Sequence, residues 1–176
     1  PGLSQDQLEN PLFQFNGGPV VRPTVDDSEL QAGLITGALE QGISVTLLTE
    51  TVDTVQGTQN GNITVLAPIN PQAANSAAGT RATLSLLASN DLTLQEEVGV
   101  VADPNADPTA ASNLVLDIAL KAGDLTQKQN PVEAGQISNS YIGTLGINAD
   151  IRSAGGSILL DGVDINAAAG TRISTN

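Results

Sequence analysis

The sequence predicts an all-β solenoid: short strands wound into stacked coils, with one short helix near the first coil and an extended arm before it. Three observations predict this. Apolar residues alternate with Thr or Ser in runs of about four to six residues bounded by Gly, Asn, Asp or Pro, the pattern of short half-buried strands. The apolar residues are nearly all Ala, Val, Ile and Leu, and Phe13, Phe15 and Tyr141 are the only aromatics. Such side chains fill a narrow interior and not a wide one. Finally, the runs recur. Ile151, Ile158, Ile165 and Ile173 return every seven or eight residues, the spacing of successive strands around a coil.

Residues 1–27 form the arm. Pro1, Pro11, Pro19 and Pro23 punctuate it, and Gly17-Gly18 loosens it. Leu12, Phe13 and Phe15, then Val20 and Val21, suit short edge strands, because Pro excludes central ones. These five residues are the expected contact points if the arm lies along its own body or a neighbouring copy. The solenoid is expected over 28–176. Its opening segment, about 28–41, carries the helical signal in Leu30, Leu34, Ala38 and Leu39. Ser28 and Gln31 fit a capping box, with Asp26, Asp27 and Glu29 at the positive helix end and Gly42 as the stop. A helix there would cap the first coil.

The strand regime starts with Val45 and Leu47. Residues 61–94 are its organising stretch: Ile63 and Val65 alternate in one run, then Leu84, Leu86, Leu92 and Leu94. Residues 96–112 are an acidic, Pro-containing excursion with Val98, Val100 and Val101 at its start. Leu114, Leu116, Ile118 and Leu120 make the cleanest alternating strand. Leu84 to Leu114 spans 30 residues and Leu114 to Leu145 spans 31, which reads as a larger repeat whose units bury their faces only by stacking.

Composition excludes several functions. The net charge is −13, from 19 acidic and 6 basic residues, so no basic patch exists to release phosphate counterions from nucleic acid or to hold anionic lipid. The acidity serves solubility. No apolar run approaches the ~20 residues of a membrane span. The chain lacks Cys, Met, Trp and His, which removes disulfides, thiolate and imidazole catalysis and conventional zinc sites. It also suits an oxidising exterior. The start at Pro1 reads as a processed or excised product.

Some residues still bear on chemistry. Asp103-x-Asn105-x-Asp107 opens like a calcium loop, but Pro108 and Leu114 stand where an EF-hand needs Gly and Glu. An irregular calcium loop is the metal reading there, and a Pro-rich surface turn is the alternative. Asp161 and Asp164, like Glu96 and Glu97, read as solvent-facing turn residues.

The ordered phrases resemble a known family. Leu34-x4-Leu39-x2-Gly42-x2-Val45-Thr46-Leu47, Gly61-Asn62-Ile63-Thr64-Val65-x2-Pro68-Ile69 and Ala82-Thr83-Leu84-x-Leu86-x-Ala88-x-Asn90-Asp91-Leu92-Thr93-Leu94 are similar to the repeat phrase of filamentous-haemagglutinin-like exoproteins. The likeness is good over about residues 30–94 and looser beyond. It implies a right-handed parallel β-helix at the surface of, or outside, a Gram-negative-type bacterium. It also implies export through an outer-membrane two-partner secretion transporter. The family's Asn-Pro-Asn-Leu secretion motif is represented only by Asn10-Pro11-Leu12, so no secretion signal is assigned.

The expected function is therefore structural and adhesive, without catalysis or cofactor unless calcium binds. Strand rhythm persists through Ile165 and Ile173, so the last coil is expected to be an open stacking end that builds a head-to-tail filament. A monomeric adhesin segment binding glycans or cell surfaces through residues 96–112 is the second expectation. A polysaccharide-processing β-helix enzyme is the third.

Overall fold

The computed structural model describes residues 14–15, 18–22, 28–49, 61–105, 112–123 and 143–175. Leu12, Phe13 and Asp107 lie outside them. The chain winds as a right-handed β-helix with three sheets, and each coil gives one strand to each sheet in turn.

The first sheet runs β1 (Gln14–Phe15), β2 (Gly18–Val21), β3 (Val45–Leu48), β5 (Thr80–Ala88), β8 (Leu114–Ala122), β11 (Ile158–Gly162). The second runs β4 (Ile63–Val65), β6 (Leu92–Leu94), β9 (Thr144–Ile147), β12 (Asp164–Ala167). The third holds β7 (Val98–Gly99), β10 (Ile151–Arg152) and β13 (Ile173–Ser174), extended at its start by the parallel bridge from Ile69 to Val98. All strand pairs are parallel except β1 with β2.

Alternation does what period two dictates. In β5 and β8 every second side chain is buried from Ala82 and Leu114 onward. Inward residues stack in register from coil to coil: Leu84 on Ile118, Leu86 on Leu120, Leu92 on Leu145, Leu94 on Ile147, Val98 on Ile151. All are buried in one continuous core. Ile151, Ile158, Ile165 and Ile173 do tour one coil, and Ile173 lands on Ile151.

The larger repeat is different. Leu114 stacks on Thr80 and Leu145 on Leu92, so Leu84, Leu114 and Leu145 are not equivalent positions. Coil length is unequal: Ile63 to its partner Leu92 is 29 residues, Leu92 to Leu145 is 53, and Leu145 to Ile165 is 20. Parallel stacking fixes strand register only, so insertions at the corners change coil length without disturbing the core.

The helix α1 (Ala32–Glu40) roofs the first coil, with Ile35 and Leu39 buried in the core. It starts later than expected. Gln31 is the N-cap and makes no side-chain cap bond, and the first turn holds no acidic residue. The expected capping pair thus lies ahead of the helix. Gly42, at φ +77, ends it as expected. Ile35, outside the expected face, proved one of its two buried residues.

One tight corner depends on glycine. A Cβ on Gly156 would sit 2.1 Å from the Leu116 carbonyl oxygen, so only glycine lets the Ser153–Gly156 turn lie flat on the coil beneath. Ser153, fully buried, donates its hydroxyl to the Gly156 carbonyl at 2.7 Å and closes that turn.

Candidate interaction surfaces

The two ends of the solenoid are built differently. At the first coil the inward residues Val45, Val65 and Ile69 are buried, and Leu47 and Ile63 are half-buried. The roof explains this. Helix α1 covers the core, and the Glu40 carboxylate accepts the Gln72 N–H at 2.8 Å and the Asn75 side-chain amide at 3.1 Å. That clasp ties the roof to the turn at Ala73–Asn75. Strand β2 adds the second cover. It pairs with β3 through Val20 and Val21, both buried within this chain, and the antiparallel β1 follows at the edge. A two-residue edge strand beside Pro19 blunts further pairing.

The last coil has no such cover among the described residues. Ile165 and Ile173 are 47% and 45% exposed, although the side chains they stack on, Leu145 and Ile151, are at 0%. Ile158 and Leu160 are half-buried above fully enclosed Ile118 and Leu120. Strand β11 is the terminal strand of its sheet, as β12 and β13 are of theirs. Unpaired strand groups and apolar side chains therefore share one face. Leu159, pointing outward from β11, is 61% exposed beside them.

Carboxylates hold that last coil down. Asp117 accepts the Ser157 N–H and hydroxyl, each at 2.8 Å, and a bidentate pair of bonds from Arg81. Partial burial pushes its carboxyl up, but those bonds, with the Arg81 charge, outweigh it and hold it below the usual carboxylate range. Asp150 accepts the Arg172 N–H at 2.9 Å and a bond from Arg152 at 2.8 Å. The Arg172 backbone bond is the largest cause of its lowered value, followed by Arg152. Asp91 does the same for the preceding coil, accepting the Thr144 N–H at 2.8 Å. None of these three was singled out from sequence, because a lone Asp, within a strand like Asp117 or just ahead of one like Asp91 and Asp150, has no periodic signature.

The other sequence candidates lie elsewhere. Asp103 accepts the backbone N–H of Asn105 at 2.9 Å, in a local turn. Among the described residues no group of three or more acidic, His or Cys side chains could hold a metal. Asp161 and Asp164 are exposed at the β11–β12 corner, and Glu97 meets Asn70 and Arg152 along the third sheet. No helix among the described residues is long and apolar enough to cross a membrane. Phe15 sits in β1 at the roofed end, far along the sheet from β11. Among the described residues, the structure does not bring the arm and the stacking end together within one chain. Comparison with protein-family models, with curated proteins and with solved structures finds no match to this chain, so what is shown is the parallel β-helix architecture itself.

Proposed function

We propose that this chain is an extracellular structural and adhesive scaffold, a rigid β-helical shaft that joins other molecules through the open face of its last coil. One observation carries the reading: the inward residues Ile165 and Ile173 stand exposed although the residues they stack on, Leu145 and Ile151, are fully buried. Composition supports the extracellular setting, since the chain has no thiol, thioether or indole to oxidise and needs no disulfide. The haemagglutinin-like phrases support it too, and with it export by an outer-membrane partner.

Sedimentation equilibrium over a wide concentration range tests the reading. Concentration-dependent association that disappears in Leu159→Lys or Ile165→Lys is expected. A monomer at every concentration that also fails to bind cells or immobilised glycans would sink it.

A further inference from the structure

We propose that Asp103–Pro104 is a self-scission site: in mild acid the Asp103 carboxyl cuts its own peptide bond to Pro104. The coils stay stacked afterwards, as two chains in place of one.

The chain holds two Asp-Pro bonds, Asp103–Pro104 and Asp107–Pro108, and both fall in the acidic excursion. Such a bond joins an internal nucleophile to a good leaving group. A proline nitrogen carries two carbon substituents besides the acyl group. It is more basic than an ordinary peptide nitrogen and departs readily as a secondary amine. In the step, a carboxyl oxygen of Asp103 attacks the Asp103 carbonyl carbon. The C–N bond to Pro104 breaks, and the carboxyl proton passes to the nitrogen. A cyclic anhydride remains at Asp103, and solvent water opens it to two carboxyls. The net change is one water added.

The turn prepares this bond. Asp103 Oδ1 accepts the Asn105 N–H at 2.9 Å. That hydrogen bond closes a ring through the Asp103 carbonyl carbon and Pro104, so the carboxyl is held beside the bond it attacks. Among the described residues Asp103 Oδ2 has no hydrogen-bond or ion-pair partner, which leaves it available as the attacking atom. Pro104 and Asn105 are exposed, so water reaches the anhydride. A carboxyl already placed spares the reaction the entropy of placing it.

Both sides of the cut are anchored without it. Val101 donates its N–H to Pro71 and accepts that of Ala73, each at 3.0 Å. Strand β8 pairs with β5 along its whole length. The cut parts residues 1–103 from 104–176, and all three sheets still join them: β5 on β8, β6 on β9, β7 on β10. Leu84, Leu92 and Val98 keep their stacking on Ile118, Leu145 and Ile151.

The test holds the protein in mild acid, at a pH where its circular dichroism is native, beside a sample in urea at the same pH. Mass spectrometry is expected to find 1–103 and 104–176, together one water heavier than the chain. They should form about tenfold faster in the folded sample than in urea. Size exclusion should show the nicked protein eluting with the intact one. Asp103→Ala should abolish this cut. Asn105→Pro deletes the N–H that holds the carboxyl, and should slow the cut to the urea rate while circular dichroism stays unchanged. An uncut chain, a cut no faster than in urea, or one that survives Asp103→Ala overturns the proposal. So does a first cut at Asp107–Pro108 in the folded protein, or separation of the two parts under native conditions.

Discussion

Arg81 and Asp117 form a bidentate ion pair, 2.7 and 2.8 Å, that crosses from β5 to β8, and the same Asp117 carboxylate then reaches β11 through Ser157. One carboxylate thereby links three successive coils. Asp117→Ala removes bonds to a charged acceptor and leaves the Ser157 N–H without it. The arginine is mostly exposed, at 62% of its side chain, so the ion pair itself adds little. A loss of about 1–2 kcal/mol in urea unfolding is expected. Amide exchange should quicken first in Ile158–Gly162, and uniform quickening along the shaft would count against this account.

Acid should loosen the last coil before the rest. Asp117 and Asp150 both hold their carboxyls below the ordinary range. A depressed folded-state pKa means that the unfolded chain binds protons first as pH falls. The stabilisation is complete above the unfolded value near pH 3.9 and is lost as pH drops through the lower folded values. Urea midpoints measured from pH 6 down to pH 2 should fall in that acidic window. The Asp117→Asn, Asp150→Asn double variant should show a shallower fall, and an unchanged slope would refute the assignment.

The stacked pair Ile151 and Ile173 offers an internal control. Ile151 is fully buried and Ile173 is 45% exposed. Truncating the first to Ala should cost about 2–5 kcal/mol. The second should cost less than half as much in dilute protein. Raising the protein concentration until copies associate should widen the effect of Ile173→Ala and leave that of Ile151→Ala unchanged.

Gly156→Ala should destabilise by about 2–3 kcal/mol, because the new methyl meets the Leu116 carbonyl and that backbone cannot move away. The melting temperature checks this. Gly155→Ala is the comparison. It has open space at its Cβ, and φ +96 as its only obstacle.

Opening the roof should destabilise the shaft. Leu39→Asp places a charge in the core beneath α1, where Leu39 is fully buried. A loss of about 4 kcal/mol or more in urea unfolding is expected. An unchanged urea midpoint would show that α1 is not what closes the first coil.

Much of this was legible in sequence where a side chain's period reports its side. Leu114 to Leu120 reads as a strand because every second residue must be apolar to face a narrow core. Ile151 to Ile173 reads as a coil because that coil has no insertion. The regular spacing of Leu84, Leu114 and Leu145 misled, since equal spacing does not require equal position once corners vary in length. The helix was visible, yet its start was misplaced, because Ser28 and Gln31 match a capping pattern that the backbone does not use. Buried Ile35 escaped notice for the same reason. The candidate site was legible only in Ile165 and Ile173. That they are exposed depends on what lies above them, and sequence periodicity is blind to that.

The clasp from Glu40 to Gln72 and Asn75 also joins segments 32 and 35 residues apart. A coil gains its partners only from the coil beside it, so α1 is held twice, by the core beneath it and by a turn on the flank. Like a strap over a lid, the clasp must release before the helix can lift.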